Sequence, residues 1–313
     1  MRKVVFQLSL SVLLLFFFAA NVDWNEMGLA FSGLRLHFYI ISALTALLGP
    51  IILAGKYNLL TSHTTLDIPF TRLMAINYIA RFYALFLPTA LGPEAVRWYK
   101  ITKNKEGKSF FLASTIVERI FFLLLLFICG SVPLFFSREP AIQRLAAKLW
   151  PLLAVMGAGF VLVLVYFLYQ PLHRAFKRFI VKKLRLANGS RLHEFLDNFS
   201  VQNASSKVLG ILFLLTVVWQ LSFLIRMYFI FVSLGLPFGF WDVTWMGSLV
   251  LLLQIIPVSF AGIGVREGAF SFLFSLHGIQ SEPGVVVGIL FFSQMLILCF
   301  VGWLCQLFER HLQ

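Results

Sequence analysis

The segment 255–268, IIPVSFAGIGVREG, interrupts an apolar run with one proline, three glycines and an adjacent arginine and glutamate. Proline removes a backbone donor and clashes with the preceding helical turn, while glycine allows the chain to change direction. The segment is therefore predicted to break a helix. Backbone groups freed by such a break cannot face lipid, so they must be covered by protein or line a polar cavity.

A second segment, 86–97, has the same construction and reads FLPTALGPEAVR. When Pro88 is superposed on Pro257, the Val-Arg pairs of the two segments also coincide, and each arginine has a glutamate within three positions. The offset between the two prolines is about half of the length of the chain. Matched broken segments in two halves of a membrane protein indicate a transport site. The alternative is that both are ordinary interfacial loops that share a few positions.

The composition places these segments in a membrane protein, because 60% of the residues are hydrophobic and only 12% are charged. Soluble proteins carry about 25% charged residues. A mean hydropathy of +0.89 excludes a water-soluble globule, whereas a bilayer solvates such side chains directly. Eight apolar runs follow one another along the chain: 4–20, 37–54, 110–136, 151–169, 208–233, 246–260, 268–276 and 284–306.

These runs predict an all-α polytopic membrane protein with about seven to eight transmembrane segments, including broken or re-entrant helices in two pseudo-repeated halves. We expect a single integral membrane domain over 1–313. Its half-repeats are predicted at about 37–170 and 208–306, joined by a basic cytoplasmic loop at 170–207. The sequence leaves open whether the halves are parallel or inverted.

The net charge of +13, from 26 basic and 13 acidic residues, gives the orientation. Cytoplasmic loops of membrane proteins retain Lys and Arg. With the N-terminus inside, the inner segments hold 19 basic residues and the outer loops hold four. The inner segments are 1–3, 55–108, 170–207 and 307–313. We predict a multi-pass protein of the cytoplasmic (inner) membrane with both termini cytoplasmic, and no nucleic-acid partner because no compact basic domain is present.

Ionisable residues in or beside apolar spans are costly and are functional candidates by default. The candidates for substrate binding are Arg97, Arg266, Glu94, Glu267, Glu118, Arg119 and Arg226. Their charges sum to +1, and Arg81 would make the sum +2. Such a cavity suits a phosphate-bearing headgroup, because guanidinium offers a fixed fork of donors to phosphate oxygens. Substrate contact is favoured most for Arg97 and Arg266.

The alternative for these charges is internal pairing that only pins helices together. It pairs Glu118 with an arginine of the other half, and Glu267 with Arg226. Arg226 also lies close enough to the outer end of its run to snorkel. Hinge positions are predicted at the prolines and glycines of the broken segments: Pro88, Gly92, Pro257, Gly262, Gly264 and Gly268.

Catalysis is not expected, because the six histidines lie near predicted span ends and no HExxH, GxSxG or Walker pattern is present. No metal or cofactor is expected either. Cys129, Cys299 and Cys305 lie in apolar stretches without metal-ligand spacing, so inert buried thiols are predicted. Polar residues within the spans, Gln220, Gln254 and Gln294, are predicted to hydrogen-bond between helices.

Three stretches resemble signature segments of the lysylphosphatidylglycerol synthase transmembrane region, a flippase-like family: LPTALGPEAVRWY (87–99), STIVERIFFLLLL (114–126) and IPVSFAGIGVREGAF (256–270). The Gly-Val-Arg-Glu-Gly motif at 264–268 is the most specific, and the similarity runs over essentially the whole chain. Pro93 departs from the family pattern, which often has a second glycine there. Full-length synthases add a soluble aminoacyl-transfer domain, so aminoacylation activity is expected to be absent here.

The resemblance implies an inner-membrane protein that moves, or helps to move, a polar lipid with an anionic or zwitterionic headgroup between leaflets. Arg97 and Arg266 would receive the headgroup, and Glu118 and Glu267 would neutralise the empty site. Two alternatives remain at this point. One is a non-transporting scaffold or subunit of a lipid or glycan biosynthetic enzyme, and the other is a membrane-embedded transferase. The oligomeric state is left open.

Overall fold

The computed structural model describes residues 24–62, 68–87, 92–103, 108–137, 139–168, 206–255, 259 and 262–309. Over these residues the fold is all-helical, which confirms the predicted class. The ten helices are α1 (Trp24–Ser32), α2 (Leu36–Thr61), α3 (Phe70–Ala84), α4 (Gly92–Thr102), α5 (Lys108–Phe136), α6 (Pro140–Leu168), α7 (Ser206–Ser233), α8 (Phe240–Ile255), α9 (Val265–Leu276) and α10 (Glu282–Leu307).

Five of the described helices contain a segment long and apolar enough to cross a membrane. These segments are Leu36–Thr61, Thr115–Phe136, Pro140–Leu162, Lys207–Ser233 and Glu282–Leu307. The predicted runs 246–260 and 268–276 correspond to α8 and α9, which have 16 and 12 residues. At 1.5 Å per residue neither reaches across about 30 Å of hydrocarbon. The described part of the chain therefore holds five candidate spans, and the predicted count of seven to eight segments, which included broken or re-entrant helices, is not confirmed. The run 4–20 and residues 170–205 lie outside it.

The interpretation of 55–108 as a cytoplasmic loop is wrong for much of its length. Helix α2 continues to Thr61, and α3 packs inside the protein with Leu73 and Ile79 fully buried. Polar residues along α3 lower its hydropathy, so no apolar run marks it. Three of the basic residues assigned to this loop, Lys56, Arg81 and Arg97, line internal cavities. Without them, the predicted inner side still holds far more basic residues than the outer side, so the predicted orientation is unchanged.

Helices α2 and α7 pack side by side in antiparallel directions. The Arg35 N–H donates to the Ser233 carbonyl at 2.7 Å, and the Ser42 hydroxyl donates to the Arg226 carbonyl at 2.7 Å. Farther along, a Cβ at Gly49 would lie 3.7 Å from the indole nitrogen of Trp219. Residue numbers rise along α2 as they fall along α7, so the two helices begin at opposite ends of the bundle.

Further contacts between the helices α2–α5 and the helices α7–α10 are reciprocal. Helix α3 packs on α10, where the Cys299 thiol donates to the Arg81 carbonyl at 3.2 Å and Gly302 lies against the backbone of Tyr78. Helix α8 packs on α5, where a Cβ at Gly130 would lie 3.4 Å from the Cβ of Ser248. Thus α3, the first short helix of one set, packs on α10, the last helix of the other set, and α8 packs on α5 in the same way.

Helix order and length also recur along the chain. The set α2, α3, α4, α5 has 26, 15, 11 and 29 residues, and the set α7, α8, α9, α10 has 28, 16, 12 and 26. The first residue of each helix in the second set follows the first residue of its counterpart by a nearly constant number of residues. This number is close to the offset between Pro88 and Pro257. Helix α6 belongs to neither set, and its exposed Trp150, Val155 and Leu162 are suited to lipid contact.

Candidate functional site

The second broken segment contains two glycines in the left-handed region of the backbone. Gly262 has φ of 76° and Gly264 has φ of 83°, where a side chain would strain the chain. One carboxylate oxygen of Glu267 accepts a hydrogen bond from the Gly264 N–H at 2.7 Å. This bond satisfies a free donor at the start of α9. Gly268 lies inside α9 and makes an ordinary helical bond to the Gly264 carbonyl at 3.0 Å, so it is not part of the break.

The first broken segment separates α3 from α4. Gly92 begins α4 and is buried tightly, since a Cβ there would lie 2.6 Å from the Cβ of Leu87. The predicted hinges Pro88 and Pro257 lie outside the described residues. The chain therefore leaves one short helix and begins another at both predicted positions, beside the charged side chains described next.

A cavity of about 240 Å³ lies beside the first break, and we call it the mixed-charge cavity. Its wall carries four basic and two acidic side chains: Lys56, Arg81, Arg97, Arg119, Glu94 and Glu118. These side chains come from α2, α3, α4 and α5, so all four helices of the first set contribute. Three of the six are buried, with Lys56 1%, Arg97 4% and Glu118 8% exposed, and the other three are half-buried.

Ion pairs with Glu94 and Glu118 offset two of the four positive charges in this cavity. The Lys56 ammonium donates to Glu118 at 2.5 Å, linking α2 to α5. Glu94 contacts Arg119 at 3.3 Å and Arg97 at 3.5 Å. Two nearby positive charges favour the ionised form of a carboxyl group. Glu94 is therefore held as a carboxylate between two guanidinium groups.

A second cavity of about 180 Å³ lies beside α2 and α7, nearer to the first residue of α2 than the mixed-charge cavity, and we call it the cationic cavity. It is lined by Arg81, Arg226 and Arg266, and no carboxylate is among its described lining residues. The rest of the wall is mainly apolar and includes Phe291 and Leu298. Arg81 and Arg226 make no ion pair within the described residues, and Arg266 pairs with Glu267, which is not among the lining residues.

Arg226 is held by neutral groups of α10 and does not snorkel to the interface, contrary to the sequence interpretation. Its Nε donates to Gln294 Oε1 at 2.6 Å, and one terminal nitrogen donates to the Phe291 carbonyl at 3.4 Å. The Gln294 amide donates in turn to the Ser42 hydroxyl at 2.8 Å. This chain of bonds joins α2, α7 and α10, and it confirms the predicted interhelical role of Gln294.

The other two glutamines differ from Gln294. Gln254 donates to the Val250 carbonyl of its own helix at 3.4 Å and lines both cavities. Gln220 is 2% exposed, and neither its amide nitrogen nor its oxygen has a partner among the described residues. The interhelical prediction therefore holds only for Gln294 among the three.

Arg266 is 1% exposed and is paired with its own neighbour in sequence. Its Nη2 donates to Glu267 Oε1 at 2.7 Å, and its Nε donates to the same oxygen at 3.2 Å. A Cβ at Gly288 would lie 2.7 Å from the Cγ of Glu267, so a glycine on α10 admits this carboxylate. Glu267 therefore serves both Arg266 and the start of α9.

The two pairings proposed as the internal alternative are wrong. Glu118 binds Lys56 of its own half rather than an arginine of the other half, and Glu267 binds Arg266 rather than Arg226. Lys56 was absent from the candidates because its position suggested a loop, and its partner is distant in the chain. Internal pairing as such does occur, since every candidate glutamate contacts a basic side chain.

The two cavities adjoin. Arg81, Trp219, Leu251 and Gln254 line both of them. The mixed-charge cavity contacts α2 at Leu53 to Tyr57, and the cationic cavity contacts it from Thr45 to Pro50, so the cavities follow each other along the helix. Arg81 is the charged residue at their junction, and its guanidinium has no hydrogen bond or ion pair within the described structure. From the sequence alone, Arg81 enters only as an addition to the charge sum.

The described part of the chain contains no group of three or more His, Cys, Asp or Glu side chains that could hold a metal ion. The three cysteines are free, with Cys299 buried and the other two half-buried. The described chemistry consists of guanidinium, ammonium, carboxylate and amide groups around two adjoining spaces. Such groups have the chemistry to bind and orient a charged ligand.

Comparison with known proteins gives a family match over nearly the whole chain. The family model described as the lysylphosphatidylglycerol synthase TM region matches residues 4–302. No curated protein and no solved structure matches the chain. The matched range includes both broken segments and every charged residue of the two cavities. This multi-pass membrane protein therefore belongs to the lysylphosphatidylglycerol synthase transmembrane-region family, a membrane domain of lipid-related proteins.

Proposed function

We propose that the chain is a translocase that moves a phosphate-bearing polar lipid between the leaflets of the cytoplasmic membrane. The observation that carries this proposal is the gathering of six basic and three acidic side chains around two adjoining cavities beside the broken helices. Charged groups at such sites are expensive, and they mark substrate pathways. Membership in a lipid-related family supports a lipid as the substrate.

The two halves form an inverted repeat in this proposal. Helix order, lengths and offsets recur, and α2 and α7, which begin the halves, are antiparallel. The hairpin α3–α4 then enters the membrane from one face, and the hairpin α8–α9 enters from the other. Inverted repeats with broken helices at a central site are a recurring architecture of transporters.

Each hairpin is tied at its open end to the other half. Lys100, near the end of α4, donates to both oxygens of Glu309 after α10, each at 2.7 Å. His277, after α9, contacts Glu139 after α5 at 2.8 Å. We expect these contacts to open alternately as the halves rock. The headgroup crosses through the cavities while the acyl chains stay in lipid, and both termini are cytoplasmic.

Covalent chemistry is not part of the proposal, because no nucleophile held by a base accompanies the described charged groups of the two cavities. The groups bind the headgroup, shield it from hydrocarbon and release it on the other side. A scaffold or enzyme-subunit role remains the competing function. It predicts a stoichiometric biosynthetic enzyme partner and no lipid movement by the isolated chain.

Lipid translocation in proteoliposomes made with the purified protein tests the proposal. Fluorescent lipids with several headgroups are followed in wild type, in Arg97→Ala and Arg266→Ala, and in Arg144→Ala, which removes an exposed arginine of α6. Arg266→Ala should abolish transport while leaving membrane insertion intact, and Arg144→Ala should transport normally. Full transport by Arg266→Ala removes that residue from the site. If no headgroup moves in wild type, the scaffold becomes the better account.

A further inference from the structure

The cationic cavity differs from its neighbour in having almost no internal counter-charge. Arg266 alone among its three arginines contacts a carboxylate, that of Glu267, within the described residues. Arg226 is bound only by the neutral Gln294 and a backbone carbonyl, and Arg81 has no polar partner in the described structure. Two guanidinium groups that make no ion pair within the described residues therefore face one space of about 180 Å³.

Removing a guanidinium from water is strongly unfavourable unless another group compensates its charge. The apolar wall of this cavity supplies no such group. A bound anion would supply it, and the planar fork of arginine donors matches the oxygens of a phosphate. The missing partner of Arg81 and Arg226 is therefore expected to be an anionic ligand.

The geometry also favours an anion with more than one negative charge. The guanidinium carbon of Arg226 lies 4.0 Å from the ring centroid of Phe291, and that of Arg266 lies 5.2 Å from the same centroid. One aromatic ring thus contacts two cations, and each contact is a favourable cation–π interaction. Both guanidinium groups also line the cationic cavity.

The charge sum over both cavities leads to the same ligand class. Lys56, overlooked in the sequence, and Arg81 raise the sum of the charged groups to +3, from six basic and three acidic side chains. A zwitterionic headgroup leaves this sum unchanged, and a lysylated headgroup with net positive charge would raise it. A phosphomonoester carries about −1.5 to −2 at neutral pH and lowers it most.

We propose that Arg81 and Arg226 receive the phosphate of a net-anionic lipid headgroup and that the site rejects net-cationic, aminoacylated headgroups. The proposal rests on the translocase function and narrows its substrate class. Arg81 lines both cavities, so it can hold the phosphate while the headgroup passes from one cavity to the other. Arg81 is thus a substrate-binding residue added to those found from the sequence.

Ligand binding by the full-length protein in detergent tests this assignment apart from transport. Thermal stabilisation is measured with dioctanoyl phosphatidic acid, phosphatidylglycerol, phosphatidylcholine and lysylphosphatidylglycerol, and with inorganic phosphate. Stabilisation should decrease in that order among the four lipids, and lysylphosphatidylglycerol should give none. Arg81→Gln and Arg226→Gln should each weaken phosphatidic acid binding about tenfold to a hundredfold, as expected for a lost charged hydrogen bond.

Arg144→Gln removes the same charge from the exposed face of α6 and should bind like wild type. Arg81→Lys keeps the charge without the fork and should bind between wild type and Arg81→Gln. Equal binding of anionic and lysylated lipids, or unchanged binding in both Gln variants, would overturn the proposal. Inorganic phosphate binding as tightly as phosphatidic acid would overturn its lipid part.

The same variants in the transport assay separate the two proposals. If phosphatidic acid binds through Arg81 and Arg226 but no lipid moves, the anion site stands and the translocase function fails. If lipids move at the wild-type rate in both Gln variants, the translocase function stands and the anion site is wrong.

Discussion

The helix set α2–α5 and the helix set α7–α10 treat a cation at an equivalent position differently. Lys56 and Arg226 occupy equivalent positions, counted from the first residues of α2 and α7. Lys56 meets a carboxylate, Glu118 on α5, whereas Arg226 meets an amide, Gln294 on α10. The charge of Lys56 is therefore neutralised within the protein, whereas the charge of Arg226 has no carboxylate partner among the described residues. The difference suggests that one position mainly stabilises the fold and the other serves a ligand.

The largest effect is expected from breaking the neutralised position. Glu118→Gln leaves the Lys56 ammonium buried near Arg97 and Arg119 with no carboxylate, and it should lower the free energy of unfolding by about 3–5 kcal/mol. Unfolding of the purified protein in detergent measures this change. The double variant Lys56→Met with Glu118→Gln removes the orphaned charge and should recover most of the stability. A double variant no more stable than the single one contradicts the pairing.

An intermediate effect is expected where the halves pack on each other. A Cβ at Gly302 would collide with the carbonyl oxygen of Tyr78 and lie 2.8 Å from its carbonyl carbon. Gly302→Ala should therefore lower the free energy of unfolding by about 1–3 kcal/mol. The matching glycine, Gly130, has its nearest neighbour at 3.4 Å, so Gly130→Ala should be neutral or slightly stabilising. Equal losses in the two variants, measured by unfolding in detergent, would contradict this difference between the reciprocal contacts.

A smaller effect is expected from making the second half resemble the first. Gln294→Glu gives Arg226 a carboxylate, and the Ser42 hydroxyl can rotate to donate to it. Binding of dioctanoyl phosphatidic acid should weaken about fivefold to tenfold, or about 1–1.4 kcal/mol, because the ligand competes with an internal anion. Gln294→Met loses the amide but leaves Arg226 charged, so it should bind the lipid more tightly than Gln294→Glu. The reverse order would contradict the assigned role of the amide.

The two breaks are predictable from the sequence because proline and glycine act locally. Gly262 and Gly264 do adopt the left-handed backbone that only glycine tolerates easily, and α4 and α9 begin where the segments predict. The long apolar helices were found for the same reason, since each is a continuous hydrophobic run. These features depend on residues that are near one another in the chain.

Features that depend on distant contacts were missed. Helix α3 carries too many polar residues to be recognised as buried, because α2 and α10 rather than lipid cover it. Arg81 and Lys56 were therefore counted as loop charges. The partner of Glu118 could not be chosen from the sequence, because four helices converge on the cavity. The Arg266–Glu267 pair was missed because adjacent helical residues point in different directions, yet the first turn of α9 brings their charged ends together.

Lipid transport by a variant in which α4 is covalently linked to Glu309's position after α10 tests the proposed alternate opening of the hairpins most directly. In a background without Cys129, Cys299 and Cys305, cysteines replace Lys100 and Glu309, whose side chains meet at 2.7 Å. A reversible bifunctional thiol reagent then links them in proteoliposomes, and lipid translocation is measured before linking, after linking and after reduction. We expect transport to stop on linking and to return on reduction, while each single cysteine variant is unaffected by the reagent. Unchanged transport by the linked protein would contradict alternate opening of the two hairpins.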